Sequence, residues 1–183
     1  MPSLQEQIDT KMKEMNRLEK ELMTVMEGDI AKASADMDDA VRQIEMKDFA
    51  EMKAMAKVKD EVCQVLNTVV YIIFDVKPIG KDTWKIRFFD RDFLERLQKF
   101  NRDSVSETVT QKLDEHFSNP AVSAENMENM ESGGPRMVKL LSKWLWAARS
   151  YAKLEEELKP KMEDLRTLHA ELETLQREQA LVG

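Results

Sequence analysis

Apolar side chains at the start of the chain fall at Leu4, Ile8, Met15, Leu18, Leu22 and Val25, in the three- and four-residue steps of a heptad seam. From Leu22 the phase slips. Leu22, Met26, Ile30, Ala33, Met37, Ala40 and Ile44 form a second seam, entered by two successive steps of four around Gly28 and Asp29. A stutter of this kind locally relaxes a left-handed supercoil, and a glycine in a helix interior softens it further. Gly28 and Asp29 are therefore the predicted place for a change of register. At the other end Leu154, Leu158, Leu165, Leu168, Leu172, Leu175 and Val182 keep one phase throughout. Pro160 lies inside that run, removes one backbone hydrogen bond, and predicts a bend near the start of the second arm. Heptad segments at both ends of one chain predict an antiparallel coiled-coil hairpin capped by a globular insertion.

The insertion has a different pattern. Residues 60–74 (DEVCQVLNTVVYIIF) are apolar almost all round, and their length favours a buried helix over a strand. Asp75 to Lys81 contains Pro78 and Gly80 and reads as a loop. Residues 91–101 place Phe93, Leu94, Leu97 and Phe100 on one helical face. Ser104-x-x-Glu107 is a capping box ahead of a helix carrying Val105, Val109, Leu113 and Phe117, which ends at Asn119-Pro120. Ser132-Gly133-Gly134-Pro135 is a break, and from Arg136 a long helix carries Met137, Leu140, Leu141, Trp144, Leu145, Ala148 and Tyr151 into the second arm. The predicted fold is all-α: stalk helices at residues 1–46 and 151–183, and a tip of about six short helices at residues 47–150.

Composition agrees with this pattern, since charged residues make up 34%, aromatics 7%, and Gly and Pro number five each. Net charge is −7, unevenly spread: residues 1–46 carry 6 basic and 11 acidic side chains, residues 47–150 carry 17 and 16, and residues 151–183 carry 5 and 8. Acidic arms argue against nucleic acid as a partner, including the tRNA-binding helical arm of seryl-tRNA synthetases. The longest apolar stretch, Val69 to Phe74, is too short to span a bilayer, and the N-terminus lacks the apolar run of a signal peptide. A soluble, intracellular chain without membrane contact is expected.

The motifs that carry chemistry are weak. Gly80-Lys81 is followed by Asp82-Thr83, without the earlier glycine or the adjoining hydroxyl of a phosphate-cradling loop. His116 and His169 have no metal-ligand spacing around them or Cys63, so no catalytic site, cofactor or metal is expected. Cys63, amid Val62, Val65 and Leu66, reads as a buried small hydrophobe. Most of the thirteen methionines fall at seam or core spacing. Met127 and Met130, in polar sequence, are expected to face a partner.

Several landmarks occur in a fixed order: VCQVLNTVVYIIF after a short amphipathic stretch, Trp84 ahead of Phe93-Leu94, Asn119-Pro120 followed by Glu125, then Leu141, Trp144, Ala147 and Tyr151, and finally Pro160-Lys161. On these, residues 49–165 resemble the microtubule-binding domain of dynein heavy chains, and the flanking arms resemble its stalk. The sequence departs from the family where Lys57-Val58-Lys59 replaces the usual proline pair between the first two tip helices, which predicts a softer turn or no break there. That departure favours an axonemal over a cytoplasmic parent.

The resemblance implies a tip that docks reversibly on the α/β-tubulin surface of a microtubule, switched between weak and strong binding by sliding one stalk helix against the other. It implies an ATPase in the parent motor, far from this segment, and a cytoskeletal or axonemal setting in the cytoplasm, cilium or flagellum. Lys47, Lys53 and Lys57 in the first tip helix, Arg87 and Arg91 ahead of Phe93, and Arg136 and Lys139 at the start of the last helix are the expected tubulin contacts. Gly28, Asp29 and Pro160 are the expected register elements. Two alternatives stand beside this: a structural antiparallel coiled-coil scaffold without tubulin binding, and an axonemal tip that also binds a leucine-rich-repeat light chain.

Overall fold

Every regular element is helical, as the pattern predicted, and no strand occurs among the described residues. The structure is a computed structural model that describes residues 1–102, 107–128 and 135–182. In order, α1 (Leu4–Val25) leads through a π-helical turn (Met26–Ile30) into α2 (Ala31–Arg42). Then follow α3 (Met46–Ala54), α4 (Asp60–Phe74), α5 (Lys85–Phe88), α6 (Phe93–Gln98), α7 (Glu107–Phe117), a 3₁₀ turn (Pro120–Val122), α8 (Ala124–Glu128) and α9 (Arg136–Val182). Two compact units result, residues 1–32 with 153–183, and residues 33–152.

In the first unit α1 begins at a capping box, with Ser3 and Glu6 each accepting the other's backbone N–H at 3.1 and 3.0 Å. Leu4, Ile8, Lys11, Met15, Leu18, Leu22 and Val25, in steps of four and three, are buried or half-buried, with Glu19 half-buried beside Leu18. The facing positions of α9 are Leu154, Leu158, Lys161, Leu165, Leu168, Leu172, Leu175 and Gln179, in the same steps. Polar side chains thus fill three seam places. Cross-pairs fix the direction: the Gln179 amide donates to the Gln5 side-chain oxygen at 2.6 Å, Lys11 pairs with Glu171, and Glu19 lies 3.5 Å from His169. Numbers rise on one helix as they fall on the other, so the two segments pair antiparallel. Val182, expected in the seam, is exposed at the end of α9.

The phase change after Val25 differs from the expected pair of four-residue steps. Met26 is 51% exposed, and the next buried residue after the Val25 position is Ile30, five residues on. The backbone absorbs the extra residue as a π turn containing Gly28 and Asp29. A π turn accommodates one more residue than an α turn over the same arc, so the apolar face is carried past an insertion without breaking the helix. Pro160 sits at an exposed position in the interior of α9, which runs through it as one helix.

The second unit is built around α4, at the predicted bounds. Val62, Cys63, Val65, Leu66, Val69 and Val70 are buried, and the helix ends at Asp75 in the left-handed conformation (φ 57°). Beside them Trp84, Phe88, Phe93, Leu97, Leu113, Met137, Leu141 and Trp144 complete the core. A break separates α3 from α4, with Met55 at ψ 118°, so the chain does turn where the proline pair is missing. α7 ends at Phe117 and Asn119 caps the following 3₁₀ turn, its side chain accepting from Ala121 N at 3.0 Å. Met127, expected to face a partner, is instead 1% exposed and belongs to the core. The proposed capping serine Ser104, Val105, Met130 and the glycine pair Gly133-Gly134 lie outside the described residues.

Candidate functional site

The cationic residues of interest stand on or beside two short helices and at the start of a long one, and Lys47, Arg87 and Arg136 each have a distinct ion-pair partner. α3 carries Lys47 and Lys53, with Lys57 in the turn that follows, all three exposed. Lys47 lies 3.1 Å from Glu45. On the same helix, Phe49 meets Phe88 of α5 at 5.4 Å between ring centroids and Phe93 of α6 edge-on at 6.0 Å. Phe88 and Phe93 touch at 4.9 Å, and Phe93 stacks on Phe74 of α4 at 6.2 Å. Aromatic contacts of this kind have directional preferences and hold large areas out of water, so α3 and α5 are positioned by one cluster.

α5 is placed by polar brackets. In α4 the Asn67 amide donates to the carbonyls of Gly80 and Lys81 at 3.1 and 3.3 Å and accepts from Trp84 N at 2.7 Å. The Gly80-Lys81 pair is thereby committed to loop structure, and the Lys81 ammonium lies 2.8 Å from Asp60. Arg87 is exposed, pairs with Asp90 at 3.1 Å and stands over the Phe74 ring at 5.6 Å, while Arg96 covers the same ring at 4.8 Å. Arg91 is exposed in the link to α6.

Arg136 is tied inward. Its guanidinium donates to the buried Asp48 carboxylate and to the Gln43 carbonyl, both at 2.8 Å. Asp48 in turn accepts from Glu45 N at 2.8 Å in a reciprocal cap of α3. Arg136 thus joins the start of α9 to the start of α3, an 88-residue separation with no sequence signal. Lys139, one turn further along α9, is half-buried. The structure links the α3, α5 and α9 sets through Phe49 and Asp48, whereas Gly28, Asp29 and Pro160 belong to the other unit.

Two buried groups sit outside this set. His116 is buried with Nδ1 2.7 Å from Thr68 Oγ1, and burial holds its pKa down at about 4. Burial also raises the pKa of the Cys63 thiol. On the α2 side, Arg102 bonds Ser34 and Asp38, and that hydrogen bond holds the Asp38 carboxyl below its ordinary range.

Fold and site define an all-α protein of two units, one of two antiparallel heptad segments and one of short helices that bears exposed lysines and arginines. No family model matches the chain. Two curated relatives are dynein heavy chains, the family that the sequence resembles. It is 26% identical over 121 residues, 66% of its length, to the Dynein-1-beta heavy chain of the flagellar inner arm I1 complex of Chlamydomonas reinhardtii. It is 26% identical over 139 residues, 74% of its length, to Dynein axonemal heavy chain 6 of Homo sapiens. The chain spans 2% and 3% of the lengths of these two proteins.

Proposed function

We propose that the chain is the stalk and microtubule-binding tip of an axonemal dynein heavy chain. Residues 1–46 and 151–183 are the stalk helices and residues 47–150 the tip, although by packing residues 33–46 cluster with the tip. The observation that carries this reading is the antiparallel pairing of the two chain ends, Gln5 with Gln179 and Lys11 with Glu171, around an inserted helical unit. The relatives' names, axonemal and flagellar, support a setting in the cilium or flagellum. Lys47, Lys53, Lys57, Arg87 and Arg91 are exposed cations suited to reversible docking on the acidic tubulin surface, since steering depends on where charge clusters. Lys139 stands at the edge of that set, and Arg136 contacts tubulin only if it shares or leaves Asp48.

Register supplies the switch. α1 crosses a π turn while the facing α9 seam keeps one phase, so the first stalk helix is the one able to change its seam. A slide of half a heptad is about 5 Å of helix rise. The test locks two registers after Cys63→Ala. Cysteines at Lys11 and Glu171, joined by a short thiol cross-linker, hold the pairing seen here, and cysteines at Met15 and Glu171 hold one displaced by half a heptad. Microtubule affinities at least tenfold apart are expected, a difference of ~1.4 kcal/mol. Equal affinities in two verified cross-linked forms contradict the relay.

A further inference from the structure

The loop between α4 and α5 presents two isoleucines to solvent, Ile79 at 91% and Ile86 at 61% exposure. Single exposed apolar side chains are ordinary on protein surfaces, so exposure alone decides nothing. What distinguishes these two is the bracing of their backbone. The hydroxyl of buried Thr83 accepts from Ile79 N and Gly80 N, both at 3.0 Å. The Thr83 carbonyl accepts from Ile86 N at 3.2 Å, so one residue holds both isoleucines in place. Asn67 anchors the same segment from α4 through Gly80, Lys81 and Trp84. Phe89, three residues beyond Ile86, is a further partly exposed apolar side chain, at 39%.

Cations are frequent in the segment that carries the two isoleucines. Residues 75–91 contain Lys77, Lys81, Lys85, Arg87 and Arg91 against Asp75, Asp82 and Asp90, a local excess of positive charge in a chain of net charge −7. Two exposed apolar side chains with braced backbones, in a segment rich in cations, supply the two ingredients of an interface, apolar groups that exclude water and charges that flank them. Its complement is an acidic protein surface with an apolar cleft.

We infer that Ile79 and Ile86 are an apolar contact pair of the tip, seated against the acidic filament surface that the flanking lysines and arginines approach. This rests on the microtubule-binding reading and adds a component to it that salt does not screen. Charges between exposed groups weaken as the screening length shortens, from ~10 Å at 0.1 M to ~3 Å at 1 M, whereas burial of apolar surface does not.

The experiment is co-sedimentation of the 183-residue chain with microtubules across a salt series. It compares wild type with Ile79→Ser/Ile86→Ser, Ile79→Val/Ile86→Val and Arg87→Gln/Arg91→Gln. The serine pair is expected to bind at least tenfold more weakly, with an unchanged dependence on salt and an unchanged melting temperature. The valine pair should keep most of the affinity. The arginine pair should instead flatten the salt dependence. If the serine pair binds like wild type at every salt, the apolar contact is wrong and the docking reading stands. If wild type fails to pellet at any salt, both fall. Should the serine pair unfold, Ile79→Ala alone carries the test: a threefold loss supports the contact and no loss overturns it.

Discussion

The carboxylate of Asp48, 1% exposed at the start of α3, accepts a hydrogen bond at 2.8 Å from the half-exposed Arg136 guanidinium at the start of α9. A buried carboxylate stripped of its charged partner keeps its desolvation cost, and hydrogen bonds to charged groups contribute roughly 1.5–3 kcal/mol. Arg136→Ala is therefore expected to destabilise the chain by about 2 kcal/mol in urea unfolding. Asp48→Ala should cost less when made in the Arg136→Ala background than alone. Additive effects would show that the two side chains do not interact.

Trp144 is buried in α9, its indole edge-on to Phe100 at 5.2 Å between centroids. Trp144→Ala should destabilise by roughly 3–5 kcal/mol, the range for deleting a large buried aromatic side chain. An unchanged thermal melt would contradict this burial.

Strong local patterns and the heptad pairing of the two chain ends were legible, whereas the side-chain pairings inside the second unit were not. α4 was readable to its ends because fifteen residues of nearly continuous apolar sequence exceed the length of ordinary strands. The π turn was not, for a reason of arithmetic. From Leu22 to Ile30, steps of four and four and steps of three and five both cover eight residues, and only the backbone decides whether Met26 or Val25 faces the partner helix. Met127 misled because α8, five residues long, is too short to show a period, so one buried side chain hid in polar sequence. The cationic residues were visible as types. Their supports, Phe49 against Phe88 and Phe93, and Asp48 against Arg136, join residues 39 or more positions apart that no local spacing couples.

His116 links acidity to stability. Burial lowers its pKa from 6.5 to about 4, so the unfolded chain binds the proton more tightly than the folded one. The stabilisation from the neutral ring is fully present above pH 6.5, falls as pH drops through that window, and is gone below pH 4. Unfolding free energy should decline by about 2 kcal/mol more between pH 7.5 and pH 5 in wild type than in His116→Gln. Parallel pH profiles for the two proteins would mean that His116 is accessible to water when folded.

Gly28 sits in the π turn where an added Cβ would meet nothing within 4 Å. Gly28→Ala should stabilise by about 0.5–1 kcal/mol, because alanine loses less backbone freedom on entering a helix. Deleting Gly28 removes the extra residue itself, and helical chemical shifts across Val25–Ala31 should then become those of a plain α-helix. Persistence of the π turn in the deletion variant would show that tertiary packing, rather than residue count, imposes it.

Co-sedimentation of the 183-residue chain with microtubules at low and at raised salt tests tubulin docking most directly. Saturable pelleting at low salt, with affinity falling as salt rises from 50 to 300 mM by roughly tenfold or more, is the expected result for a contact steered by exposed lysines and arginines. A chain that stays in the supernatant at the lowest salt, while folded by circular dichroism, contradicts the stalk-tip reading and leaves a helical scaffold.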